Sequence, residues 1–289
     1  MKISEILQQD KVNLSFEFFP PKKDMPFDSV QEATEIVSKL NPAFFSITYG
    51  AAGGATHNTV KVATEVQRNL GVTALAHLTG KTLSREEVGD ILSSLTEDGI
   101  QNILAIRGDL FPERAHLFKE DFLHASDLIR FIKEQGDFCV GAACYPEGHV
   151  ESEDKREDIR HLKLKQEAGA DFLTSQMFFD NNIFYNFMYR LRDAGVTIPI
   201  IAGIMPISAY HQIKTIEKLS GGTYPAPFIA IADKFKHHPV AFETAMLHYT
   251  CHQIIDLVAN GVNNIHIYTM NKGDTARKIM NYLGEILTA

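Results

Sequence analysis

Short apolar runs alternate along this chain with longer segments whose apolar residues recur every three or four positions. The runs are NLSFEFF (13–19), FFSITYG (44–50), TALAHLT (73–79), NILAIRGD (102–109), FCVGAACYP (138–146), FLTSQMFF (172–179), IPIIAGIMP (198–206) and NIHIYTMN (264–271). Their β-branched and aromatic content, bounded by Gly, Pro, Asp or Asn, predicts strands. The segments between them predict helices. SREEVGDILSSLTEDG (84–99) opens on Ser84, has Glu87 three residues later as in a capping box, and stops at Gly99. DLIRFIKEQG and REDIRHLKLKQEAG place apolar residues at i, i+3 and i+4 and also end on glycine.

Eight strands with helices between them predict an α/β fold, a single (β/α)8 TIM barrel spanning residues 1–289. A doubly wound open sheet is the alternative arrangement. The longest connection lies between the seventh and eighth strands, with extra helices around 226–233 and 239–260, read as an elaboration of one barrel.

Composition narrows the function classes. With 289 residues and 45% apolar content, the chain can bury a large core. A formal charge of -8 argues against nucleic-acid binding, while leaving room for a small anionic ligand held by local cations. Cys139, Cys144 and Cys251 form no CxxC pair, so neither a zinc site nor a disulfide framework is read. HHP at 237–239 has no partner spacing for a metal. No signal-peptide core and no apolar run of membrane-spanning length is present, giving the expectation of a cytoplasmic protein without a membrane partner.

The stretch SFEFFPPK places Glu17 among three phenylalanines. A carboxylate there either has a partner or keeps its proton, because burying it ionised and alone costs several kcal/mol. Other polar residues gather at the C-terminal ends of the predicted strands, where a barrel carries its active site. They are Thr48 and Tyr49, His77, Arg107 with Asp109, Tyr145 with His149, Gln176, and Asn271 with Lys272. Singly, each has an ordinary structural reading: a hydrogen-bonded core histidine, a loop ion pair, a rim residue. Their shared position points to a site. GAAGGATHNT (50–59) lacks the GxGxxG order of a dinucleotide loop. Asp158, His161, Lys163 and Lys165 form either a solvated helix face or a grip for a pyrophosphate or ribose.

SFEFFPPK, FFSITYG, AHLT, AIRGD, HASD, AACYPEGH, SQMFFD, GIMPIS and IYTMN, in this order, resemble bacterial methylenetetrahydrofolate reductase from about Val12 to Gly284. The resemblance implies a barrel with noncovalent FAD, assembled as a homo-oligomer, that reduces 5,10-methylenetetrahydrofolate with NADH or NADPH and feeds methionine synthesis. It also implies that the regulatory domain of animal members is missing. Matched residue by residue, it puts Glu17 as general acid and Asp109 beside flavin and pterin. Thr48, Tyr49, His77, Arg107, Gly108, His124, Ala125, Tyr145, His149, Asp158, His161 and Lys165 fall at flavin-contact positions. Gln176 and Gln212 fall at pterin positions, and Lys272 stands where the family has a substrate-facing arginine. Ile216 replaces a stacking aromatic, Leu164 a basic residue and His161 an asparagine.

The implied chemistry is ping-pong, and it needs an acid to protonate N10 so that the folate's five-membered ring opens to an N5 iminium cation. Desolvation of Glu17 would supply such an acid. Strand alternation turns Phe16 and Phe18 away from the face of Glu17, so the barrel interior has to provide much of that desolvation. Ionised Asp109 would favour the cation. Two other readings remain open from the residues: a flavin barrel oxidising another amine such as proline, and a non-catalytic binding subunit.

Overall fold

Eight parallel strands close into a barrel in sequence order, β1 pairing with both β2 and β8. The computed structural model describes residues 1–21, 28–49, 56–108, 112–220 and 222–287. The strands are β1 (Asn13–Phe18), β2 (Phe45–Ile47), β3 (Ala74–Thr79), β4 (Asn102–Ile106), β5 (Cys139–Cys144), β6 (Phe172–Ser175), β7 (Ile200–Ile204) and β8 (Asn264–Tyr268). The helices are α1 (Ile3–Ile6), α2 (Asp28–Ser38), α3 (Thr56–Asn69), α4 (Arg85–Glu97), α5 (Ala125–Gln135), α6 (Lys155–Glu167), α7 (Asn181–Asp193), α8 (Tyr210–Ser220), α9 (Ala226–Phe235), α10 (Pro239–Ala259) and α11 (Gly273–Leu283). Closure rules out the open sheet. Helices α8 to α10 occupy the predicted long connection between β7 and β8. Among the described residues, no helix is long and apolar enough to cross a membrane.

The predicted capping box is present: Ser84 Oγ accepts from Glu87 N at 3.2 Å and Glu87 Oε2 accepts from Ser84 N at 2.6 Å. All strands but β3 end earlier at their C-terminal ends than the apolar runs suggest. Tyr49, Arg107, Tyr145, Gln176 and Asn271 all lie beyond the last paired residue, in the loops that a site requires.

Apolar side chains form two layers and a floor. Phe16 and Phe18, fully buried, belong to the shell between sheet and helices. The barrel floor is closed by α1, whose Ile3 and Ile6 pack with Leu75, Leu104, Phe172 and Ile201 from inside the barrel. Asn102 Oδ1 accepts from Ile3 N at 2.8 Å, and Asn13 Nδ2 donates to Ile6 O at 3.2 Å, so inward amides tie this plug to the strands. The pattern reading assigns no element to this short segment. A third cluster joins Phe179, Met205 and Ile207 to Ile216, Phe228, Phe242 and Met246, seating α8 to α10 on the barrel.

Above the floor the interior turns polar. The period of two along β1 brings Ser15 and Glu17 to the same face, in register with His266 and Tyr268 of β8. Ser46 of β2 and His77 of β3 complete this layer, and all but Tyr268 are buried. His77 Nε2 lies 2.5 Å from Ser46 Oγ. Burial pushes the His77 imidazole down to about 4, against the opposing pull of Glu17.

Two predictions follow from this packing. A Cβ on Gly203 would lie 2.3 Å from Ser175 O and 2.8 Å from the Tyr268 ring, and the backbone contact has no room to give. Gly203→Ala should therefore destabilise the barrel by about 1–3 kcal/mol in urea unfolding; an unchanged midpoint would contradict the packing. His77, neutral when folded, binds a proton more readily unfolded between its ordinary value of 6.5 and about 4. Stability should thus fall as pH drops through that window, by up to about 3 kcal/mol. His77→Gln, which cannot titrate, should remove this part of the slope in denaturation curves taken across pH 4 to 7; an unaltered slope would show His77 is not its source.

Candidate active site

The loops after β2 to β5, the first turn of α5 and the face of α6 from Asp158 to Lys165 enclose a cavity of ≈ 650 Å³. Its size is that of a small-molecule site. Of the residues the resemblance singles out, Tyr49, Arg107, Gly108, Tyr145 and His149 reach it from the strand ends. His124 and Ala125 reach it at the start of α5, where Asp127 caps the helix by accepting from His124 N at 2.9 Å. Asp158, His161 and Lys165, spaced i, i+3 and i+7 on α6, share the face turned to the cavity, whereas Lys163 is exposed. This face of the helix therefore lines the cavity and is not merely a solvated surface.

The wall is cationic although the chain is acidic. Arg107 makes two 2.7 Å bonds to the carboxylate of Glu151, which hold Glu151 below its ordinary value. Arg107 thus pairs with Glu151, while Asp109, the partner anticipated for it, lies outside the described residues. Lys165 donates to Ala143 O at 2.8 Å, and burial lowers its pKa while the same desolvation raises that of Asp158 beside it. Burial likewise lowers His149, whose ring stands edge-on to Tyr145 at 4.6 Å. Gly108 has φ +94, a conformation that favours glycine at the turn entering the cavity. The start of α5 adds the positive end of a helix dipole, with His124 N already engaged by Asp127.

Glu17 and His77 lie in the polar layer of the barrel interior and are not on the cavity wall. Glu17 Oε2 sits 3.8 Å from His77 Nε2 and 3.9 Å from His266 Nε2. Among the described residues no lysine or arginine approaches the Glu17 carboxyl within 4.0 Å, so the buried-cation explanation for this residue has no partner here. Tyr268, in register with Glu17, donates its hydroxyl to Ser175 O at 2.6 Å, and burial, with Glu17 nearby, pushes its pKa well above the ordinary value. The backbone around Glu17 is clasped by the loop after β8: Thr269 Oγ1 donates to Glu17 O at 2.5 Å, and Asn271 Oδ1 accepts from Phe19 N at 2.8 Å.

The remaining candidates fall in three places. Thr48 is buried next to Tyr49, and its Oγ1 has no hydrogen-bond partner among the described residues. Gln176, Gln212 and Lys272 lie outside the cavity wall. Gln212 Oε1 caps the start of α8 by accepting from Ser208 N at 2.8 Å and Ala209 N at 2.9 Å, and Lys272 Nζ donates to Ser208 Oγ at 2.7 Å. Ile216 is buried in the cluster under α8 to α10. Asp109 and residues 50–55 of the glycine-rich run lie outside the described residues. Pattern reading missed Thr79, Lys81, Phe118 and Glu151, which also line the cavity. The rule of strand ends reaches Thr79 and Lys81, which sit at and just after the end of β3, but nothing periodic marks the short turn before Phe118.

Comparison with known proteins agrees with the barrel fold. A methylenetetrahydrofolate reductase family model matches residues 2–284. Methylenetetrahydrofolate reductase 1 of Schizosaccharomyces pombe is 34% identical over 292 residues, covering 98% of this chain and 48% of that protein. The chain thus spans about half the length of the fungal relative. The 5,10-methylenetetrahydrofolate reductase of Pectobacterium carotovorum is 32% identical over 276 residues, covering 96% of this chain and 91% of its own. A solved structure from Clostridium thermocellum, of a protein that binds two copies of 5-methyl-5,6,7,8-tetrahydrofolic acid, superposes with a TM-score of 0.67 at 14% identity, covering 100% of this chain and 99% of that one. At that identity the likeness speaks for the barrel alone. With a match over nearly its whole length, this chain belongs to the methylenetetrahydrofolate reductase family.

Proposed function

We propose that this barrel reduces 5,10-methylenetetrahydrofolate to 5-methyltetrahydrofolate with NADH or NADPH, using bound FAD, and that Glu17 is the acid. The observation that carries this reading is a buried carboxyl in the upper barrel interior, flanked by two imidazoles and without a cationic side-chain partner among the described residues, in the same barrel as a cation-lined cavity.

The residues fit a flavin dinucleotide. A pyrophosphate needs cations and backbone donors, which Arg107, Lys165 and the start of α5 offer. Ribose or ribityl hydroxyls need side-chain acceptors, which Asp158 and His161 offer. The orphaned Thr48 Oγ1, next to the cavity-lining Tyr49, is a buried hydroxyl of the kind a ligand satisfies. When bound, the flavin supplies the hydride carrier between nicotinamide and folate.

The protein's own part is proton delivery and orientation. Glu17, its backbone held by Thr269 and that of Phe19 by Asn271, gives a proton to N10, and the imidazolidine ring then opens to the cation that accepts hydride. Neutral His77 leaves Glu17 without a stabilising positive charge on that side. Gln212 and Lys272, joined through Ser208, brace the α8 side of the barrel mouth, where the matched family positions meet the pterin. Asp109 is proposed to favour the cation from the β4 loop.

Glu17→Gln keeps size and hydrogen bonding but has no proton to give. The variant should bind FAD and accept hydride from NADH or NADPH at near the unsubstituted rate, yet lose about 100-fold or more in the step that consumes folate, as followed by stopped-flow absorbance. Retention of the folate step would remove Glu17 from the mechanism. Lys165→Met, which keeps the aliphatic stem but loses a charged donor, should weaken FAD binding about tenfold or more in a fluorescence titration; unchanged affinity would place the dinucleotide elsewhere.

A further inference from the structure

Among the described residues, four cationic side chains line the cavity: Lys81, Arg107, Arg160 and Lys165. Three have partners that hold them in place. Arg107 makes its two 2.7 Å bonds to Glu151, Lys165 Nζ donates to Ala143 O at 2.8 Å, and Lys81 Nζ rests 5.5 Å from the centre of the Phe118 ring. Arg160 differs. Its guanidinium lies 3.7 Å from Glu157 Oε1, three residues back on α6 and beyond hydrogen-bonding distance, and its side chain is 67% exposed. Glu157 is itself anchored elsewhere, since its Oε2 accepts from Glu153 N at 2.8 Å, ahead of the helix. An exposed pair of this kind on one helix is weak and screened by salt, so the guanidinium can leave Glu157 at little cost.

One turn further along the same row stands Leu164, 43% exposed on the cavity wall, where the family resemblance expects a basic residue. Residues four apart are neighbours on a helix surface, so Arg160 and Leu164 edge the same stretch of the cavity. Two cations at that spacing would repel each other, with Lys165 adding a third charge beside them. One cation in the row avoids this. The charges also match a ligand in number: with the histidines neutral, the four cations face two carboxylates, Glu151 and Asp158, and the excess of two equals the two negative charges of a dinucleotide's pyrophosphate. Without Arg160 the excess would be one.

We propose that Arg160 is the exchangeable cation of the dinucleotide site: it leaves Glu157 to bind the pyrophosphate, supplying from one helical turn away the charge that Leu164 lacks. This rests on the cavity being a flavin dinucleotide site. Its consequence is that the loss of a basic residue at 164 does not leave this chain with a weaker grip on the cofactor.

The test follows FAD leaving the purified, FAD-loaded protein on dilution, read as the rise of free-flavin fluorescence. Arg160→Gln should raise the dissociation constant about tenfold at low salt, through the loss of one charge-assisted bond, and by clearly less at high salt. The melting temperature of the flavin-free protein should stay the same. Adding Leu164→Arg to Arg160→Gln should restore most of the affinity, whereas Leu164→Arg with Arg160 present should change it little; such non-additivity marks one charge that can act from either position. Arg160→Lys keeps the charge and should hold FAD more tightly than Arg160→Gln, and its salt dependence decides the matter if the glutamine variant does not fold. An unchanged dissociation constant in Arg160→Gln, or a loss that neither salt nor Leu164→Arg alters, would overturn the proposal. Unsubstituted protein that purifies colourless and takes up no FAD would sink the flavin reading itself. FAD-loaded protein in which Lys165→Met weakens binding and Arg160→Gln does not would sink the role of Arg160 alone.

Discussion

A carboxyl enclosed by a β-barrel must be paired with a cation, hydrogen-bonded or protonated, because ionising it alone in a dry interior costs several kcal/mol. At Glu17 the first option is missing among the described residues, and the nearest ionisable nitrogens belong to imidazoles, one of them kept neutral by burial. Most of what distinguishes this barrel can be traced to that constraint. The polar layer of serines and histidines surrounds that carboxyl. Thr269 and Asn271 hold the backbone at Glu17 and Phe19 in place from the loop after β8.

The fold meets the constraint by separating its two interiors. The outer faces of the strands carry Phe16, Phe18 and their neighbours into the layer beneath the helices, where burial stabilises the barrel. The inner faces are apolar only at the floor, where α1 seals the end away from the loops. Apart from the amides of Asn13 and Asn102 that tie down the plug, the polar layer lies in the upper half, toward the loops that build the cavity. Stability and chemistry are thus assigned to opposite ends of one barrel, as in other folds of this architecture.

Much of this was legible in the residues. β-rich runs bounded by turn residues marked all eight strands, and the capping box at Ser84 marked the start of α4. Ten of the family-matched flavin positions line one cavity, which the position of polar residues at strand ends anticipates. The rest was not legible, for physical reasons. The α1 plug is a single turn, too short for a period, and it is held by inward asparagines from distant strands. The pairing of Arg107 with Glu151 joins two loops 44 residues apart. His266 looks like any core histidine until its register opposite Ser15 places it across from Glu17. The capping role of Gln212 depends on where α8 begins, and helix starts are poorly marked when no Ser, Thr, Asp or Asn stands at the cap.

The central claim is that one cavity and one buried acid serve two successive electron transfers. The direct measurement is the visible spectrum of the pure, FAD-loaded protein under anaerobic conditions, first with NADH or NADPH and then with 5,10-methylenetetrahydrofolate. The account predicts loss of the flavin colour with the nicotinamide and its return with the folate, yielding 5-methyltetrahydrofolate. Bleached protein that the folate cannot recolour, or flavin that bleaches with proline and not with the nicotinamides, would contradict it.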